Sequence, residues 1–229
     1  MSRIVVLSGA GLSKPSGIPT FRDADGLWEG HDILDVATPQ AWFSNRDRVR
    51  SFYDQRRVAC ANVLPNPGHD ALAALQHNLG HKHVTLVTQN IDGLIQKASA
   101  EDVIEMHGSL WRLKCEQDDG HPRVGVYGPQ NKEATCTTCG ALLRPDVVWF
   151  NEMPSHMDRI ARALSNCEVF ISVGTSGVVY PAAGFVELAR AQNATCIEVN
   201  PAPTGAFFDE QISQGAEVAL PMLIQRYLE

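Results

Sequence analysis

Short apolar runs alternate along this chain with segments in which apolar residues recur every three or four positions. The runs at 4–8, 84–88, 103–105, 169–173, 196–199 and 217–219 have the length of strands, and their apolar character suits strands covered on both faces. The three-and-four spacing predicts helices at 45–63, 68–79, 157–164, 182–192 and 221–227. Strand and helix taking turns predict an α/β fold: a doubly wound, Rossmann-like parallel sheet. Two stretches break the alternation: 24–65 is helical with three tryptophan or tyrosine residues, and 112–144 is polar, glycine-rich and holds three cysteines. We expect both to be insertions that form a smaller domain. The larger domain is then 1–23, 66–111 and 145–229, within one unit spanning 1–229. No internal repeat or low-complexity run is visible.

Composition narrows the classes of partner. A chain of 229 residues with 44% hydrophobic content can bury one substantial core. Nineteen basic against 26 acidic side chains give a net charge of −7, which weakens any general attraction to nucleic acid or an anionic membrane. Recognition of a basic peptide stays open, as does the oligomeric state, with which a monomer is compatible. No apolar run approaches the ~20 residues needed to span a bilayer, and no signal segment precedes the first strand. We therefore expect a cytoplasmic protein. In that setting six scattered cysteines read as reduced thiols or metal ligands rather than a disulfide framework.

In open α/β sheets ligands gather at the carboxyl ends of the strands. Here those ends are polar: Ser8-Gly9-Ala10-Gly11, Thr88-Gln89-Asn90-Ile91-Asp92, Gly174-Thr175-Ser176 and Asn200. Any one could be a plain turn; four in succession read better as a shared nucleotide site, glycines approaching a pyrophosphate and hydroxyls and amides a ribose. The first loop, GAGLSKPSGIPTFR, is neither standard version. Lys14 stands where GxGxxG needs its third glycine, and the ending lacks Gly-Lys-Ser/Thr. His107 follows an apolar strand and precedes a glycine. Its near-neutral titration suits a proton acceptor, although a lone histidine more often caps or packs. Cys136-Thr-Thr-Cys139 is a zinc half-site; Cys115 supplies a third thiol, and Asp118 or His121 a possible fourth ligand, unless the site is vestigial. Any such zinc is structural. Cys60, Cys167 and Cys196 are most simply core thiols. Tyr53 and Arg56 share one face of a predicted helix, where the bland reading is a surface arginine beside a packed tyrosine; Arg57 points elsewhere.

Taken in order, GAGLSKPSGIPTFR, TQNID at Thr88–Asp92, His107-Gly108, Gly174-Thr175-Ser176 and Val199-Asn200 resemble the sirtuins, NAD-dependent protein-lysine deacylases. The resemblance covers about 9–215. It implies that Gly9, Ala10 and Gly11 bind NAD while Thr20, Phe21 and Arg22 cover the nicotinamide ribose. Gln89, Asn90 and Asp92 then lie at the ribose and nicotinamide, Gly174, Thr175 and Ser176 at the phosphates, Asn200 at the adenosine end, and Ala216 also on the cofactor. The implied catalytic residues are His107 and Asn90. The acyl-amide oxygen of an acylated lysine attacks the ribose carbon as nicotinamide leaves, and His107 takes the proton of a ribose hydroxyl. Nicotinamide, free lysine and O-acyl-ADP-ribose result. Sirtuins commonly carry a second CxxC pair, which is lacking here. A Tyr-x-x-Arg pair resembles the subset that removes succinyl or malonyl groups. Thr20, where many deacetylating relatives have Asp, and the small Ala24 agree with it. Two other readings share the cofactor: an NAD-dependent oxidoreductase, disfavoured by the missing glycine and ribose-binding acid, and a non-catalytic NAD or ADP-ribose binding module.

Overall fold

The computed structural model describes residues 3–20, 27–28 and 31–228, with 27, 28 and 31 described by backbone alone. The chain runs through β1 (Ile4–Ser8), α1 (Ala10–Ser13), a 3₁₀ turn at Lys14–Ser16, β2 (Leu27–Trp28) and β3 (His31–Asp32). Four helices follow: α2 (Ile33–Val36), α3 (Pro39–Ser44), α4 (Arg46–Ala61) and α5 (Pro67–Leu79). Next come β4 (Val84–Thr88), α6 (Leu94–Lys97), β5 (Ile104–Glu105), β6 (Gly108–Cys115), β7 (Val124–Gly125) and β8 (Leu143–Val147). The last part is α7 (Met157–Leu164), β9 (Val169–Val173), α8 (Phe185–Arg190), β10 (Thr195–Val199), β11 (Glu210–Ile212) and α9 (Ala216–Leu228).

Six strands form one parallel sheet in the order β11-β10-β9-β1-β4-β5. Alternate residues of β1 feed opposite faces. Ile4 and Val6 join Leu72, Leu75, Leu220 and Leu223 of α5 and α9, whereas Val5 and Leu7 join Ile160, Leu164 and Phe185 of α7 and α8. Helix α5 starts where Asn66 caps it, Pro67 fills the first turn and the His69 ring accepts from the Asn66 N–H at 3.1 Å. From β1 the chain winds outward to β4 and β5, then returns to β1 and winds the other way through β9, β10 and β11. This reversal opens a crevice between the carboxyl ends of β1 and β9, where an open α/β sheet takes its ligand.

The alternation of strand and helix is borne out, with corrections at the carboxyl end. The run at 217–219 is the first turn of α9, not a strand, and the sixth strand is instead β11. Its sequence Glu-Gln-Ile lies at the sheet edge, where a strand needs no apolar run. Pro221, read as a helix start, lies inside α9. The predicted helix 182–192 is a 3₁₀ turn at Ala182–Gly184 followed by α8.

A third apolar cluster brings Val36, Trp42, Val49, Phe52 and Tyr53 of the early helices against Leu110, Val147 and Trp149. A small antiparallel sheet, ordered β7-β6-β8, carries a fourth cluster of Leu113, Cys115, Cys136 and Leu143. Among the described residues, no helix is long and apolar enough to cross a membrane.

Candidate functional site

Three glycines weld the two sides of the crevice. A Cβ on Gly11 would stand 2.6 Å from Gly174 Cα, one on Gly9 2.8 Å from Gly174 O, and one on Gly174 2.5 Å from Leu12 N. The Gly11 N–H donates to Gly174 O at 2.9 Å, so backbone meets backbone with no room for a side chain. Asn200 is tied in by its Nδ2, which donates to Thr175 O at 2.8 Å, and the Ser172 and Thr175 hydroxyls are 3.3 Å apart. A narrow cleft beside this seam is lined by Gln89, Thr175, Ser176 and Gly177. Ala216 is buried at the start of α9, its carbonyl against Gly68. Thr20 is described, whereas Phe21, Arg22 and Ala24 lie outside the described residues.

A continuous polar chain runs behind the end of β4. Asn90 Nδ2 donates to Gly9 O at 3.0 Å and to Ser13 Oγ at 3.1 Å, which leaves Oδ1 as the group it offers. The Ser13 hydroxyl donates to Asp92 Oδ2 at 2.7 Å, and Asp92 Oδ1 accepts from the Leu94 N–H at 2.9 Å. Burial pushes Asp92 above the ordinary carboxylate range, opposed by the Leu94 N–H, the Ser13 hydroxyl and the charge of Arg56. Ser13 Oγ also lies 3.3 Å from Nε2 of His69. Because Nδ1 of that ring accepts the Asn66 N–H, the neutral ring carries its proton on Nε2 and donates it to Ser13.

Sequence reasoning missed Ser13 and His69. The available signal was Asn-Pro-Gly-His at a helix start, with histidine at the third helical position, where a side chain reaches back to the cap. Burial lowers His69 to about 4. Its native state resists protonation that the unfolded chain accepts, so its contribution is present above the unfolded value of 6.5 and fades as pH falls toward 4. Between pH 7 and pH 5 this group alone should withdraw roughly 2 kcal/mol of stability. Urea unfolding of wild type and His69→Gln at both pH values checks this. Glutamine can keep the cap contact without titrating, so the variant should lose correspondingly less stability on acidification. Parallel losses would contradict the assignment.

His107 stands beside Gln89, with its Nδ1 3.1 Å from Gln89 O. A carbonyl only accepts, so Nδ1 carries the hydrogen and the neutral ring presents a lone pair on Nε2. Burial lowers its pKa, partly offset by the Gln89 bond, and so favours that neutral form. The half-buried ring can act as a base.

Tyr53 and Arg56 lie one turn apart on α4, with 0% and 5% exposure. This rules out a surface arginine. Burial raises the pKa of Tyr53, whose oxygen accepts from Trp149 Nε1 at 2.9 Å. Arg57 faces another way, donating to Gly128 O at 3.1 Å and Leu110 O at 3.2 Å and pairing with Asp54.

Cys115, Cys136, Cys139 and His121 bring their ligand atoms within 4.8 Å of one another. Cys115 and Cys139 sulfurs are 3.6 Å apart, and Cys136 Sγ is 3.4 Å from His121 Nδ1. The edge of a tetrahedron with ~2.3 Å zinc–sulfur bonds is about 3.8 Å, so the four fit a closed structural zinc. His121 thus stands in the fourth position of the cluster. Asp118 instead lies behind it, with Oδ2 3.4 Å from His121 Nε2, where a carboxylate can orient the ring. Burial raises Cys136, but the N–H groups of Thr138 and Cys139 and the neighbouring thiols outweigh it and bring it to about 6, which favours the ligating thiolate. All six cysteines are free of disulfides; Cys60, Cys167 and Cys196 are buried in the core as expected.

Comparison with known proteins agrees with this arrangement. Residues 9–181 match the Sir2 family model. A Caulobacter vibrioides protein named NAD-dependent protein deacylase is 44% identical over 99% of this chain and 97% of its own length. One of the same name from Salmonella typhimurium is 44% identical over 99% of this chain and 84% of its own. Among solved structures, a Sir2 homologue in complex with NAD superposes with a TM-score of 0.87 at 34% identity, over 99% of this chain and 91% of its own. A mutant Sir2 homologue in complex with ADP-ribose gives 0.88 at 34% identity, over 97% and 90%.

Proposed function

Because the chain belongs to the Sir2 family and acts as an NAD-dependent protein deacylase, we propose that it removes acidic acyl groups, succinyl and malonyl, as well as acetyl from lysine side chains. The observation that carries this reading is the burial of Tyr53 and Arg56 on one face of α4, with the charge of Arg56 acting on Asp92 behind the crevice. A guanidinium grips a carboxylate through two parallel N–H bonds, and a phenol adds a third donor. Acetyl has nothing for them to hold. The partners are acylated lysines in proteins.

Bound NAD supplies the electrophilic ribose carbon. It fits the donor set: the glycine seam of Gly9, Gly11 and Gly174 lets backbone approach phosphate, Ala10, Thr175 and Ser176 stand beside it, and Asn200 braces Thr175. Asn90, its amide hydrogens engaged, would offer Oδ1 to the ribose; Gln89 holds the His107 ring, and Asp92 anchors the loop through Ser13 and Leu94. His107 Nε2 accepts the hydroxyl proton. On the resemblance of the motifs, Thr20, Phe21 and Arg22 are assigned to the nicotinamide ribose, Ala24 to the acyl group and Ala216 to the cofactor.

The test is kcat/KM for acetyl-, malonyl- and succinyl-lysine peptides in wild type and Arg56→Met. Charge-assisted bonds are worth ~1.5–3 kcal/mol each, so the succinyl-to-acetyl ratio should fall at least ~10-fold. Equal losses on both substrates would assign Arg56 to the fold and end the acidic-acyl reading. The same assays separate the remaining classes. A deacylase releases nicotinamide, an oxidoreductase produces NADH absorbance, and a binding module turns over neither.

A further inference from the structure

We propose that Trp149 is a positioning residue for acidic acyl groups: its indole N–H turns the Tyr53 hydroxyl into a dedicated donor. The inference rests on the acidic-acyl reading and names how that specificity is held. Trp149 follows β8 and is 2% exposed. An indole nitrogen can only donate, so at 2.9 Å the Tyr53 oxygen must accept, and the tyrosine hydrogen points away from the indole. A carboxylate only accepts. A phenol whose hydrogen is already turned away from the indole can donate to it without giving up that bond.

The indole is itself fixed from several sides. The Arg144 guanidinium lies 3.9 Å from its ring centroid, in the geometry of a cation–π contact. Glu152 joins both partners, taking Arg144 Nη2 at 2.6 Å on one oxygen and the Trp149 backbone N–H at 2.8 Å on the other. Trp42 packs at 5.9 Å on the indole, and Phe52 meets Tyr53 edge-on at 5.1 Å. Glu152, Arg144, Trp149 and Tyr53 thus form one chain ending at the tyrosine oxygen. The chain ends at Tyr53, so Glu152, Arg144 and Trp149 act on an acyl group through that hydroxyl.

Trp149→Phe keeps a ring and removes the donor. The succinyl-to-acetyl ratio of kcat/KM should fall about fivefold, the worth of one ordinary hydrogen bond, and chiefly through KM for the succinyl-peptide. In a Tyr53→Phe background the same change should have no further effect on the ratio, because the oxygen it orients is gone. Replacing the indole by benzothiophene at position 149 preserves shape more closely and should reproduce the effect if the phenylalanine variant does not fold. Equal losses on both peptides, or a full effect of Trp149→Phe without the Tyr53 hydroxyl, would overturn the inference. If Arg56→Met separates the two substrates and Trp149→Phe does not, only the positioning role falls. If Arg56→Met also fails to separate them, the acidic-acyl reading falls first.

Discussion

Replacing His107 by alanine is expected to cost ~10²–10⁴-fold in deacylation while NAD binding stays measurable, the range for loss of a general base. The argument is local. Gln89 O holds Nδ1 at 3.1 Å and leaves Nε2 to accept a proton, whereas the glycine seam is built from β1 and β9 and does not use the His107 side chain. Peptide kinetics and NAD calorimetry on one preparation check both halves. Retention of more than about a tenth of wild-type activity would remove His107 from the proton step. The pH profile adds an independent reading. Protonation destroys the base, so rate falls on the acid side, and burial places that fall below the ordinary 6.5. An acid limb centred above 7 would belong to another group.

Removal of zinc should abolish the folded state of the β6–β8 module, with activity lost as the structure is lost. Cys115 and Cys136 belong to the apolar cluster of Leu113 and Leu143, so the ligands and this small core stand together. Structural zinc contributes ~10–16 kcal/mol of apparent folding free energy in small peptides, more than so few apolar residues can replace. Cys136→Ser, or chelation, should give unfolded or aggregated protein, followed by circular dichroism alongside metal analysis. Asp118→Asn should leave the ligands intact yet weaken zinc binding ~10–100-fold by releasing the His121 ring. Fully active protein without zinc would make the four side chains a relic.

How much of this was legible in the sequence depended on burial. β1, β4 and β9 are buried from both faces and read as apolar runs, so the sheet and the crevice at its switch point follow from the pattern. β11 sits at an edge, and its polar residues hide it. β8 hides for a different reason. Its Leu-Arg-Pro-Asp-Val is buried throughout, but Arg144 is held by Glu152 beyond the end of the strand and Asp146 by Arg112 and Arg123, more than 20 positions back. Proline 145 is tolerable there because β8 is an edge strand of its sheet. At the site, Asn90, Asp92, His107 and the glycines announce themselves in short motifs, whereas Ser13, His69 and Trp149 do not. Ser13 and His69 meet 56 positions apart, Ser13 reaches Asp92 79 positions on and Trp149 reaches Tyr53 96 positions back, and no local spacing encodes those bonds. Spacing did place Tyr53 and Arg56 on one helical face, but only packing shows that face to be buried.

The place of β1 at the centre of the sheet has a consequence for how the chain acquires its fold. Ser8 meets Thr88 80 residues further on, and Arg3 meets Glu168 165 residues further on. At a ribosomal rate of ~5–20 residues per second, an apolar strand destined to be covered on both edges waits roughly 10–30 s for its second neighbour to be made. Such long-range parallel pairing is slow even after synthesis, because loop closure must precede any reward from contact. The crevice between β1 and β9 therefore cannot form before β9 has been made: it is assembled late, and a chaperone shielding Ile4–Ser8 would act in that interval.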